Sequence, residues 1–198
     1  MAATRPYESP LRADQLEQTH AKILDAAIEL VADSGPGALT IPLVAERAGA
    51  SVRTVYRHFP TKEALLEEIS SRMEQAFDFD LFPTDIDELP VVAPMLFRRF
   101  GEHEQLVRAA LRTGGTAGAF GAARKRRMES MESALQSVLE GRSKAERKRI
   151  VAAVYNLHSV RSWLSYRDNS RLTSAEAGDT VSWIVRTLIA DLKNGGKP

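Results

Sequence analysis

Residues 51–62 read SVRTVYRHFPTK. This stretch sets two arginines, a tyrosine, a histidine and a lysine around three apolar residues, and no acidic residue lies between Arg47 and Lys62. The chain as a whole is nearly neutral, with 27 Lys+Arg against 26 Asp+Glu in 198 residues. Negative charge is therefore missing from this stretch although the chain as a whole is balanced. Ser51 stands where a helix N-cap belongs, ahead of VRTVYRHF, and Pro60 closes that segment. Upstream, Thr40 precedes IPLVAERAG, with Pro42 in a first turn whose N–H groups have no helical partner in any case, and Gly49 ends the run. Two short helices joined by AGAS are a helix-turn-helix candidate.

The residue types fit that reading. Ala45 is small enough to let two helices cross closely, and Gly49 falls where a positive φ is expected. Val52, Val55 and Phe59 are expected to form one apolar face. The opposite face then carries Arg53, Thr54 and Arg57, groups suited to guanine edges, thymine methyls and phosphates in a major groove. A carboxylate there would be repelled by phosphate, which accounts for the missing acids. Helix starts at Thr40, Ser51 and Thr61 add free N–H groups and partial positive charge. The bland reading is a solvated basic face on an ordinary helical pair. The conjunction of spacing, caps, acid-free run and aromatic-basic ending weighs against it.

Outward from this centre the chain reads as helices. Residues 1–14 carry no period and are expected to form a flexible arm. Leu16, Ile23, Ala27, Leu30 and Val31 recur at helical spacing until SGPG at 34–37. A fourth helix is expected through KEALLEEISSRMEQAF, and residues 78–94, rich in proline and acids, read as a connection. Further helices are expected over 95–101, 102–112, 116–140, 143–168 and 173–193. The expected fold class is all-α, with an N-terminal three-helix DNA-binding domain over 15–62 and a second helical domain over 63–198, to which the family resemblance given below assigns effector binding and dimerisation.

Composition bounds the chemistry. Hydrophobic residues are 43% and charged residues 27%, an ordinary globular mixture. The absence of cysteine excludes disulfides, thiolate zinc sites and a cysteine nucleophile. No signal peptide or membrane span is read, so a cytoplasmic location is expected. The four histidines lack the spacing of a helical metal site, and no G-x-S-x-G elbow or phosphate loop is present. No catalytic residue, metal or cofactor is expected. GGTAGAFGA at 114–122 has no preceding strand and reads as a helix start rather than a dinucleotide fingerprint. RKRR at 124–127 reads as a solvated face, a second nucleic-acid contact being the other reading.

Residues 22–66, KILDAAIELVADSGPGALTIPLVAERAGASVRTVYRHFPTKEALL, closely resemble the DNA-binding domain of TetR-type transcriptional regulators. TVYRHFPTKEALL is the most specific part. The resemblance covers roughly the first third of the chain. It implies that Arg53 and Thr54 read base edges, that Tyr56, His58, Lys62 and Thr40 hold phosphates, and that Phe59 is core. Pro42 departs from the polar or charged residue often found there and removes one phosphate-facing N–H. The resemblance also implies a repressor that binds a palindromic double-stranded operator as a homodimer and is released by a small effector.

Ala177, Val181, Ile184, Val185, Leu188 and Leu192 form a helical stripe, and residues 149–166 are apolar on more than one face. A plain internal core and a subunit interface both fit. The resemblance favours a dimer through the last two long helices. Phe97, Phe100, His103, Met128, Tyr155, His158 and Ser162 are candidate effector contacts, because an apolar lining with few polar groups suits a small-molecule site. Two other readings stand beside the ligand-responsive repressor. One is a DNA-binding regulator controlled by a protein partner or its own abundance. The other is an all-α enzyme or binding module in which the helix-turn-helix is scaffold.

Overall fold

Side-chain caps set the helix boundaries in this chain, and they are clearest where the sequence was most specific. In the computed structural model, which describes residues 10–77, 83–113 and 119–198, Thr40 Oγ1 accepts the Leu43 N–H at the start of α2 (Ile41–Ala48). Ser51 Oγ accepts the Thr54 N–H at 3.0 Å at the start of α3 (Val52–His58). Between them Gly49 takes φ +62°, a left-handed conformation glycine adopts without a Cβ penalty. Ahead of the pair lies α1 (Pro10–Ser34), whose Ile23, Leu24, Ala27 and Val31 are fully buried. It begins at Pro10, five residues before the expected start at Gln15. Thr61 Oγ1 accepts the Ala64 N–H as α4 (Lys62–Phe77) begins, and Leu65 and Ile69 are its buried positions in that first part.

The chain divides into two compact units. One comprises Met1–Met73 and Arg108–Gly115, the other Glu74–Val107 and Thr116–Pro198. In the first unit α2 packs on α1 and α3 on α2. Ala45, Val44, Val55 and Phe59 are buried at these contacts. Each fully buried aliphatic side chain contributes about 1.5–3 kcal/mol. Val52 departs from expectation: at the helix start it is 41% exposed and takes no part in the apolar face. The last turn of α6 (Glu104–Arg112) belongs to this unit, where Arg112 Nη1 donates to the Asp33 carbonyl at 3.1 Å.

The second unit is built on α5 (Leu89–Glu102) and α11 (Ser174–Lys193), which pack along each other. The remaining helices are α7 (Ala119–Ala134), the single turn α8 (Gln136–Leu139), α9 (Lys144–Leu157) and α10 (Val160–Asp168). Capping boxes start two of them: Ser143 with Glu146 at α9, and Thr173 with Glu176 at α11. The expected helix over 143–168 is broken at His158 because Ser159 Oγ accepts the Ser162 N–H and starts a new helix. The expected connection over 78–94 is shorter, since α5 begins at Leu89 and keeps Pro94 inside it. Residues 78–82 of that connection, residues 1–9 of the expected arm, and 114–118 of the glycine-rich run lie outside the described residues. Among the described residues there is no strand, and the all-α reading holds. No described helix is long and apolar enough to cross a membrane.

Gly178 shows how closely α11 approaches α5: a Cβ there would lie 2.7 Å from Pro94 Cα. An alanine is normally preferred over glycine inside a helix by about 0.5–1 kcal/mol. Here the obstacle is backbone, which cannot swing aside. Gly178→Ala is therefore expected to destabilise the fold by about 1–3 kcal/mol, read by chemical denaturation. A neutral or stabilising effect would show that the two helices slide apart freely.

Candidate nucleic-acid interface

The face of α3 is fixed by what its other face buries. Val55 is fully buried, and at about 100° per residue this turns Arg53, Tyr56 and Arg57 outward. All three are exposed, Tyr56 by 51%. Among the described residues neither Arg53 nor Arg57 has an ion-pair partner. Arg47 differs, because Glu29 Oε2 lies 3.0 Å from its Nη1. The two α3 arginines thus keep their full N–H complement for an outside acceptor. Thr54 is half-buried, and its hydroxyl lies 2.8 Å from Ser51 Oγ, so it serves the cap as well as the surface. Thr40 and Ser51 are exposed at the two helix starts, and Lys62 is half-buried in the first turn of α4.

His58 does not present itself as expected. It follows Val55 by three positions and so turns towards the interior. Its ring meets His20 edge-on at a centroid distance of 5.9 Å, and its Nε2 is buried with no hydrogen-bond partner. His20 also lies 4.5 Å from the Phe59 ring. Burial first, then the charges of Arg57 and His20, lower the His58 pKa from its ordinary value. His58 is thus a packing residue at the back of α3. Sequence reasoning missed its partner His20, which sits in α1 before the resemblance begins.

The candidate effector residues fall into separate groups. Phe97 and Phe100 are buried in an aromatic cluster, with Phe100 5.6 Å from Trp163 and 5.2 Å from Phe77, while His103 meets Phe77 edge-on at 5.9 Å. Met128 is 40% exposed on α7 and does not join them. Ser162 is half-buried in the first turn of α10, its N–H engaged by Ser159. Tyr155 is half-buried on α9. His158 is only 2% exposed, and both ring nitrogens face backbone carbonyls: Nδ1 at 2.7 Å from Val154 O and Nε2 at 3.0 Å from Leu89 O. No ring nitrogen remains for a ligand, so the expected polar contact is instead a tie between the end of α9 and the start of α5. Burial lowers its pKa, against a smaller upward pull from the two carbonyls.

Residues 23–69 match the family model of bacterial regulatory proteins of the tetR family. Residues 23–69 are thus a domain of the TetR type. The chain's similarity to the transcriptional repressor KstR of Rhodococcus jostii (strain RHA1) is 35% identity over 78 residues, 39% of this chain and 37% of that protein. With the regulator YvkB of Bacillus subtilis (strain 168) it is 37% over 57 residues, 29% of this chain and 30% of that one. The matches thus span only about a third of the length of these curated relatives. Among solved structures, a TetR-family regulator from Streptomyces coelicolor aligns with TM-score 0.55 and 22% identity, over 89% of this chain and 82% of that one. The regulator FadR from Bacillus subtilis, in complex with stearoyl-CoA, aligns with TM-score 0.57 and 15% identity, over 84% and 97%. At these identities the structural likenesses show the fold: an N-terminal helix-turn-helix followed by a helical domain. These relatives and structural neighbours are described as transcriptional regulators.

Two outcomes follow from the local chemistry. Ser51→Ala removes the only side-chain cap of a seven-residue helix and should cost about 1 kcal/mol in denaturant titration. An unchanged stability would mean that packing alone holds α3. The second concerns His58 and His158, whose folded pKa values lie below the ordinary 6.5. As pH falls through that value, the unfolded chain takes up protons that the fold refuses, so stability drops. The melting temperature should be lower at pH ~5.5 than at pH ~7.5, on either side of the unperturbed histidine pKa. A His58→Asn, His158→Gln variant should show a flatter slope whatever its absolute stability. An equally steep slope would place the titration elsewhere.

Proposed function

We propose that the protein is a transcriptional repressor that binds a palindromic operator as a homodimer and is released by a small, largely apolar effector. The observation that carries the DNA-binding part is the outward face of α3. There, exposed Arg53, Tyr56 and Arg57 stand on a short helix whose entry is fixed by Gly49 and Ser51, in a run with no acidic residue. On this reading Arg53 and Thr54 meet base edges, while Tyr56, Arg57, Lys62 and the helix starts at Thr40 and Ser51 meet phosphates. His58 supports the helix from behind.

The repressor role is supported by the name and local similarity of the KstR relatives, and effector binding by the stearoyl-CoA complex of FadR. A homodimer is supported by α11. Trp183 is 62% exposed there, beside the half-buried Ile184 and Leu188, which is unusual for so large an apolar residue. Two copies paired this way would set their α3 helices about 34–36 Å apart, one turn of DNA, or a multiple of it. A gel shift against the DNA upstream of its own gene, with and without candidate effectors, tests the whole reading. Failure to bind any such DNA at low salt would overturn it.

Base and phosphate roles separate experimentally. Arg53→Ala is expected to cost about 1–3 kcal/mol on the operator and to relax preference at one position. Lys62→Ala is expected to weaken binding to all sequences alike and to reduce the salt dependence by about one phosphate contact. Equal losses for Arg53→Ala on operator and random DNA would reassign Arg53 to the backbone. An unchanged salt slope would remove Lys62 from the interface.

A further inference from the structure

The RKRR run on α7 reads in sequence as a solvated face, but its last residue is not solvated. Arg127 is half-buried, and its Nε is sealed from solvent with no hydrogen-bond partner. Among the described residues no carboxylate pairs with its guanidinium. The reason is helical phase. Arg127 lies one turn before Met131, which is fully buried, and two turns before Ala134, also buried, so it stands on the inward stripe of α7 while Lys125 and Arg126 face out.

This is costly. A guanidinium cannot shed its proton in a protein, so it stays charged wherever it is placed. A sealed N–H of a half-buried charged group left without a partner is an unfavourable arrangement. Burial pushes its pKa below the ordinary value, as desolvation should. Arg167 in this unit also leaves its Nε unpartnered, but its Nη groups are answered, by Glu104 at 3.1 Å and the Leu172 carbonyl at 2.9 Å. Arg142 donates to the Val138, Leu192 and Gly196 carbonyls.

The neighbourhood of Arg127 explains which partner is missing. α7 packs on α9, and Tyr155 and His158 at the end of α9 are close enough to exchange electrostatic influence with the guanidinium. His158 has both nitrogens committed to carbonyls and offers no acceptor. Met131 of α7 and Ile150, Val151 and Val154 of α9 are buried and apolar. What the site lacks is an anion.

We propose that Arg127 receives the anionic head of the effector, a carboxylate or a phosphate, through Nε–H and a neighbouring Nη–H, while the effector body is apolar. Two parallel N–H···O bonds suit either head and are stronger than neutral ones. The inference rests on the effector reading above and narrows it from an apolar compound to an amphiphilic anion.

The test uses the full-length protein with decanoate, dodecanoate and 4-phenylbutyrate, with the corresponding neutral alcohols, and with decyl phosphate. The acids are expected to raise the melting temperature and the alcohols to do so far less. Arg127→Met is expected to bind the acids at least tenfold more weakly by calorimetry, yet to melt above the wild type without ligand, because an unpaired buried charge has been removed. Tighter binding of decyl phosphate than of decanoate assigns the head as phosphate, and the reverse order assigns carboxylate. Alcohols that bind as well as acids, or an Arg127→Met protein that keeps its affinity for the acids, would overturn the assignment while leaving effector control intact. So would an Arg127→Met protein that melts below the wild type, which would make the guanidinium structural. If no compound of either series stabilises the protein or releases it from its operator, the effector reading fails and takes this inference with it.

Discussion

The left-handed backbone at Gly49 is the constraint on which the outward face of α3 depends. It lets the chain leave α2 at Ala48 and enter α3 at Val52 with Ser51 already in capping position. The strain that another residue would suffer there is only about 1 kcal/mol. Its larger effect is on geometry. Ala45 allows α2 and α3 to cross closely, and Val55 is driven to zero exposure by that crossing. Once Val55 is fixed, helical phase leaves no freedom in where Arg53, Tyr56 and Arg57 point. Burial of one valine thus places three side chains that touch nothing in the core.

The same dependence explains what was legible in the sequence. Local rules decide caps and turns, so Thr40, Gly49, Ser51 and Thr61 are readable from short windows. The all-α class followed from periodicity. Errors arose where a residue's neighbour is distant in sequence or where an end effect overrides phase. Val52 has the right spacing for the apolar face but sits in the first turn, with no helix ahead of it to cover it. His58 looked like a phosphate ligand because it lies in a basic run, yet its rotation relative to Val55 turns it to His20, 38 positions earlier. The break at His158 is hidden because residues 149–166 are apolar on more than one face, and such a segment does not show where a serine cap interrupts it.

The buried polar groups of the second unit separate structural residues from functional candidates. Both His158 nitrogens face carbonyls, and the Arg167 Nη groups meet Glu104 and a carbonyl, although Arg167 Nε has no partner. They join elements that are far apart in sequence and lend the fold definition. Arg127 differs from Arg167 in that no Nη bond accompanies its unpartnered Nε among the described residues, which is why it is the residue proposed to take a ligand. A run of four basic residues conceals this in the sequence, because the helix phase that buries the fourth is visible only once Met131 is known to be core.

Charge placement also bears on how the proposed repressor would discriminate among DNA sites. A chain with net charge of +1 has little general attraction for DNA, and Glu29 already answers Arg47 beside the helix pair. One copy therefore offers few uncommitted cations, chiefly Arg53, Arg57 and Lys62. A few phosphate contacts give only weak, salt-sensitive binding. Two heads held on one duplex behave differently, because the first contact raises the effective concentration of the second. Affinity then depends on both heads fitting at once, which a palindrome satisfies and random sequence does not. An effector need not touch the DNA-binding face under these conditions. It need only bind more tightly to a dimer whose heads no longer match the spacing, and its leverage is bounded by that difference in affinity. An anion meeting a buried, unpaired guanidinium is a large source of such a difference, provided the site around Arg127 is open to it in one state more than in the other.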